Sequence, residues 1–153
     1  MKKRTCILIK PDGIEKKVVG KILAKLEESG FTLMGLKLIV PEKSLYEKFY
    51  AEHQGKPFYD GLMNFMLSGP LVATVWQAEE GIDIIARSRQ IIGATNSVEA
   101  APGTLRQMYG TDNRRNVVHG SDSDAAADRE IKILFKSEEL RSEQLPSEEL
   151  RVV

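Results

Sequence analysis

The chain has 153 residues, 42% of them hydrophobic, which suits one compact domain with an ordinary core and leaves little room for two. Lys plus Arg and Asp plus Glu both total 22, so there is no global positive field of the kind that makes duplex nucleic acid or an anionic membrane the default partner, and any polyanion site must be a local cluster. The single cysteine, Cys6, excludes an internal disulfide and, set in an apolar run, reads as a buried core thiol in a reducing compartment.

The basic start Met1-Lys2-Lys3-Arg4 precedes an apolar run that stops at Lys10-Pro11, too short for a signal segment or a membrane span, so a cytoplasmic location is expected. Residues Thr5 to Ile9 predict a strand, closed by a turn at Lys10-Pro11-Asp12-Gly13 that leaves Lys10 at the strand end. From Ile14, the apolar positions Val18, Ile22 and Leu26 recur at helical spacing until Ser29-Gly30. Phe31 to Val40 is apolar on both parities and predicts a second strand. Pro41 to Leu67 carries aromatic residues at roughly helical spacing around Gln54-Gly55-Lys56-Pro57 and predicts a helical hairpin. Leu71 to Trp76 predicts a strand and Ile82 to Ile92 a helix. Gly93 to Arg115 is a long connection with a short helical possibility after Pro102, and its length argues for a functional loop.

Asn116-Val117-Val118-His119-Gly120-Ser121-Asp122 follows. Its valines predict the end of a buried strand that delivers His119 into a Gly-Ser-Asp turn. A neutral imidazole is a competent nucleophile near physiological pH, and Gly120 removes a Cβ that would crowd a bulky incoming group. Such a site suits attack on phosphorus. Ser121 and Asp124 make a weak capping-box pattern before a helix carrying Ala127, Ile131 and Leu134 to about Lys136. The order β, α, β, helical hairpin, β, α, long loop, β, α predicts an α+β fold: a ferredoxin-like split βαβ sandwich with a four-stranded antiparallel sheet and helices on one face. Residues 1–153 are expected to form one domain, with 137–153 a charged tail. In it Ser137-Glu138-Glu139-Leu140-Arg141 recurs as Ser147-Glu148-Glu149-Leu150-Arg151, read as two capped helical turns on the surface.

The heptapeptide NVVHGSD resembles the active-site signature of nucleoside diphosphate kinases. Lys10 in KPDG, Arg89 and Thr95 in RQIIGAT, and Arg106 in PGTLR match further positions of that family's pattern, spread over most of the chain. The resemblance implies the ferredoxin-like fold and ping-pong transfer of a γ-phosphoryl group through a phosphohistidine at His119. It implies that Lys10 and Asn116 meet the ribose hydroxyl and terminal phosphate, while Arg89, Thr95 and Arg106 hold the phosphates. It further implies that Glu130 and Ser121 orient the imidazole, that Tyr50 belongs to the active site, and that Phe58 stacks on the base. Stacking reads a π-face, so purines and pyrimidines bind alike. Partners are nucleoside di- and triphosphates and further copies of this chain, a hexamer being expected ahead of a tetramer.

Neither GxxxxGK[ST] nor GxGxxG occurs, so side chains must supply the phosphate cradle. No Cys/His cluster offers a protein metal site; Mg²⁺ is expected to arrive on the nucleotide. His53 has no motif context and is expected to face solvent. Ser97, Arg114 and Ala125 depart from the family's usual proline, glycine and glutamate, and proline at 97 is expected to strengthen assembly through its fixed φ. Two rival readings are a regulatory nucleotide binder that lacks transfer, which the intact polar set opposes, and a nucleic-acid binder, which the zero net charge opposes.

Overall fold

The computed structural model describes residues 1–142, so the second SEELR copy lies outside the described residues. Strand β1 (Arg4–Ile9) is buried from Thr5 onward on both parities. Both of its faces must therefore be covered. Pro11 does not simply end the strand in a turn: it opens a short helix, α1 (Pro11–Glu15), where its missing N–H costs nothing and its φ is already helical. The helix predicted from Ile14 is accordingly divided. Lys17 adopts φ 61°, and the amphipathic segment restarts as α2 (Val19–Glu28).

Next come β2 (Thr32–Ile39), α3 (Lys43–Phe49), a 3₁₀ turn at Ala51–His53 and α4 (Tyr59–Met66), which together form the expected hairpin region. Strand β3 (Leu71–Gln77) is buried throughout. Helix α5 (Ile84–Ile92) is capped by Asp83, whose carboxylate accepts the Ala86 N–H. The long connection contains a 3₁₀ turn at Ser97–Glu99 and α6 (Leu105–Tyr109), capped by Thr104. Strand β4 (Val118–Gly120) then leads into α7 (Asp124–Leu134). The cap of α7 is Ser123, which accepts the Ala126 N–H, and not Ser121, whose hydroxyl is engaged elsewhere.

The strands form one antiparallel sheet in the order β2-β3-β1-β4. This is the predicted split βαβ topology, but helices cover both faces, not one. Ile7 and Ile9 of β1 with Val72 and Trp76 of β3 pack beneath α2 and α5; Cys6, Leu8, Ala73 and Val75 face α3, α4 and α7. The continuous apolar runs of β1 and β3 require this, because a sheet wet on one side would alternate. Trp76 is fully buried and still satisfied, its Nε1–H donating to Thr74 Oγ1 at 2.8 Å. In the first SEELR copy, Ser137–Glu139 forms a 3₁₀ turn, and Leu140 lies over Gly35, where a Cβ would come within 2.7 Å of the leucine Cδ2. That copy is thus more than a solvated surface turn.

Candidate active site

Two sequence motifs far apart in the chain are knitted together at the site. Val117 adopts φ 60°, a conformation that is unfavourable for a β-branched residue and that must be held by its surroundings. Asp12 Oδ2 accepts the Val117 N–H at 3.0 Å, and the Val117 carbonyl accepts the Lys10 N–H at 2.8 Å. Gly13 completes the clasp, since a Cβ there would lie 3.2 Å from the Val117 carbonyl oxygen and 2.8 Å from Ile9. The segment KPDG therefore shapes the residue that precedes the signature strand. Val117 is not the end of that strand, as the valine pair suggested: β4 begins at Val118 and His119 sits within it, paired with Leu8.

His119 is consequently half-buried rather than on an exposed turn, with its side chain 23% accessible. Its ring lies edge-on to Phe49 (centroids 5.1 Å apart) and to Tyr50 (6.5 Å). Nε2 lies 3.0 Å from Glu130 Oε1, and Ser121 Oγ donates to the same oxygen at 2.7 Å. Ser121 Oγ in turn accepts the Cys6 N–H at 3.2 Å, which pins this otherwise enclosed hydroxyl to β1. An acceptor fixed at Nε2 makes that nitrogen the protonated one, so the free lone pair of the neutral ring is on Nδ1. Helix α7 does fold back beside β4, as the proposed Glu130 contact requires.

A cavity of about 470 Å³ opens in front of the ring. Lys10, Tyr50, Phe58, Arg89, Thr95, Arg106, Asn116, His119 and Glu130 all line it; of the residues picked out in the sequence only Ser121 stands behind it. Lys10 Nζ donates to Asn116 Oδ1 at 2.7 Å and to the Arg114 carbonyl at 2.6 Å. Burial lowers its pKa to about 8, with Asp12 opposing that effect. Asn116 is itself spent on the scaffold, its amide donating to the carbonyls of Thr95 and Asn113. Arg106 ties the loop to the signature strand through the carbonyls of Gly93 (3.1 Å) and Val118 (2.7 Å), while its Nε has no partner among the described residues. Burial, then the neighbouring Arg89, lower its pKa to about 10. Arg89 and Thr95 are exposed to the cavity, and the Phe58 ring is 44% accessible at its rim. Burial raises the Tyr50 phenol far above its usual range, so that group stays protonated.

His53, expected in solvent, is part of the cavity wall. Its ring stacks on Tyr50 at 5.9 Å and meets Phe58 edge-on at 5.2 Å, and its Nδ1 is buried without a partner among the described residues. Burial, followed by Lys56, lowers its pKa. Its position three residues after Tyr50 was the available clue, because a helical turn brings such residues together. The contribution of Asp12 to the site was also missed, since a carboxylate bonded to a main-chain N–H leaves no mark in the sequence.

Residues 3–140 match the family model described as nucleoside diphosphate kinase. The chain belongs to the nucleoside diphosphate kinase family. It is a phosphotransferase acting between nucleotides, and its relatives bear the same name across wide phylogenetic distance. The enzyme of Carboxydothermus hydrogenoformans is 52% identical over 91% of each chain, and that of Saccharomyces cerevisiae is 49% identical over 90% of this chain and 88% of its own. Among solved structures, the nucleoside diphosphate kinase of Aquifex aeolicus superposes with a TM-score of 0.88 at 40% identity, covering 92% of this chain and all of that one. The Halobacterium salinarum nucleoside diphosphate kinase, solved in complex with CDP, gives the same TM-score at 39% identity over 98% of each chain.

Proposed function

We propose that His119 carries the phosphoryl group in a ping-pong exchange between nucleoside tri- and diphosphates. The observation that carries this reading is the His119–Glu130 contact at 3.0 Å, which leaves the Nδ1 lone pair available beside a wall of cations. In the first half-reaction Nδ1 attacks the γ-phosphorus, the bond from that phosphorus to the bridging oxygen breaks, and the diphosphate leaves with the electron pair. A terminal oxygen of a second nucleoside diphosphate then attacks the phosphohistidine, the P–N bond breaks, and the neutral ring returns.

Because the transition state places charge on the phosphoryl oxygens, fixed donors do most of the work. Arg89, Thr95 and Arg106 take the phosphates. Lys10 meets the ribose hydroxyl and terminal phosphate; Asn116 positions its ammonium, and the second lone pair of its Oδ1 is left to accept from the ribose hydroxyl. Glu130 and Ser121 hold the imidazole, Tyr50 packs against it, and Phe58 stacks on the base with broad specificity. Mg²⁺ brought in on the phosphates would neutralise charge and orient them. Among the described residues no cluster of His, Cys, Asp and Glu forms a protein cage for an ion, but the carboxylates of Glu52 and Asp122 line the cavity and suit the water shell of a nucleotide-borne cation.

The protein is proposed to act in the cytoplasm; among the described residues no helix is long and apolar enough to cross a membrane, and the Dictyostelium discoideum relative is named as cytosolic. It is also proposed to assemble as a homo-oligomer, a hexamer ahead of a tetramer. Incubation with γ-labelled ATP tests the central claim. Acid-labile label should stay with the protein and leave when a different diphosphate is added; a protein that binds ATP yet never takes up label would defeat it.

A further inference from the structure

Phe58, Gly61 and Leu62 stand at i, i+3 and i+4 around the start of α4 and so share one face, which borders the cavity. On that face lies the guanidinium of Arg114. A Cβ at residue 61 would come within 2.6, 2.8 and 2.8 Å of its Nη2, Cζ and Nη1, so the group presents its flat side to the glycine and fills the space that a side chain there would take. The backbone of Arg114 is fixed at both ends, its N–H donating to Asp112 Oδ1 at 2.9 Å and its carbonyl accepting from Lys10 Nζ at 2.6 Å. Asp112 is a firm anchor, since the N–H groups of Arg115 and Arg114 lower its pKa. Whereas the Arg106 guanidinium is tied to main-chain carbonyls, among the described residues no hydrogen bond or ion pair engages that of Arg114. A planar group with unspent donors is thus held beside the proposed stacking platform.

We propose that Arg114 is a specificity-determining residue that reads the edge of the base and favours guanine over adenine. The inference rests on the reading of Phe58 as the base platform. A guanidinium fork pairs with two adjacent acceptors, and guanine offers O6 beside N7; adenine offers an amino group beside N7 and sets a donor against a donor. The two purines stack alike on Phe58, so their difference isolates the edge.

The test compares kcat/KM for GDP and ADP as acceptors, with dTTP as the common donor, in the wild type and in Arg114→Gln, Arg114→Lys and Phe58→Ala. The wild type should favour GDP at least about fivefold, the lower end for one bidentate Arg–base pair, and both Arg114 variants should bring the ratio close to one. Lysine keeps the charge and loses the fork, which separates base reading from attraction for phosphates. Phe58→Ala should weaken both substrates together. An unchanged ratio in both Arg114 variants, or an equal loss for both purines, would overturn the proposal while transfer itself stands. A wild type that transfers nothing would overturn the phosphotransfer reading and this inference with it.

Discussion

The lone pair on Nδ1 of His119 depends on a carboxylate one helix away, so the nucleophile and its orientation are separable by mutation. His119→Ala should abolish phosphoryl transfer, because its ring is the one that Glu130 holds with the Nδ1 lone pair free beside the cations. The half-buried position adds a structural consequence: loss of the ring leaves a gap beside Phe49 and removes a partner of Glu130, so the melting temperature should fall by a few degrees. Calorimetry with a labelling assay reads both effects, and retained turnover in a clean preparation would refute the assignment. Lys10 gives a pH signature. Its folded pKa of about 8 lies below the 10.5 of a free lysine, so as pH rises the folded enzyme loses this charge first. Nucleotide affinity of the free enzyme should therefore weaken above pH 8, whereas stability contributed by Lys10 should rise between about 8 and 10.5, where the unfolded chain binds more protons. Calorimetric titration of ADP at pH 7 and pH 9 should show the weakening in the wild type and far less of it in Lys10→Met, since Arg106, with a pKa of about 10, is still mostly charged at pH 9.

Between elements, the clasp of Val117 by α1 joins two motifs that look independent in the sequence. Asp12→Ala would strand the Val117 N–H without its acceptor and free the strained backbone just before β4. The expected cost is about 1–3 kcal/mol by urea unfolding, with transfer falling by more than the loss of folded protein explains. A variant as active and as stable as the wild type would mean that the strained conformation holds itself. The long loop has a similar anchor. The Ser97 N–H and hydroxyl both donate to the Asp112 carbonyl, at 3.3 and 3.1 Å. Proline at 97 would forfeit both bonds, which corrects the expectation of a simple entropic gain. Ser97→Ala, which keeps the N–H, should lose roughly 0.5–1.5 kcal/mol in the same assay.

These cases also mark how far the sequence could be read. Strands with continuous apolar runs, the hairpin around Gln54 to Pro57 and the helix ending at Ile92 followed from periodicity and turn residues, because burial of a face is written in residue order. The candidate site was legible through short motifs that match a family pattern, KPDG for Lys10, RQIIGAT for Arg89 and NVVHGSD for His119. The cover on the second sheet face was written in the unbroken apolar runs of β1 and β3; Asp12 and His53 were not legible. Their placement depends on which distant segments meet, and a backbone N–H or the wall of a cavity leaves no trace in local pattern.

For the whole molecule, the exposed edge of the sheet bears on assembly. Among the described residues, strand β2 lies at the edge of the sheet, next only to β3; its outward residues Leu36 and Leu38 are 49% and 65% accessible, and Val40, just past its end, is 81% accessible. An apolar, unpaired edge strand is a pairing hazard unless another chain covers it, and few charges protect this one: Lys37 is drawn onto Glu139 at 3.0 Å. The proposed homo-oligomer therefore has a natural contact in β2 against β2, with backbone ladder bonds as well as apolar area to gain. Leu38→Glu sets like charges against each other at such a contact and removes a leucine from it, at a cost of several kcal/mol to association and little to the protomer, since residue 38 is exposed there. Sedimentation should show the variant dissociating at protein concentrations where the wild type stays assembled. Phosphohistidine formation should persist in the dissociated protomer, because every residue proposed for the transfer comes from one chain. An unchanged sedimentation profile for Leu38→Glu would move the assembly contact away from β2.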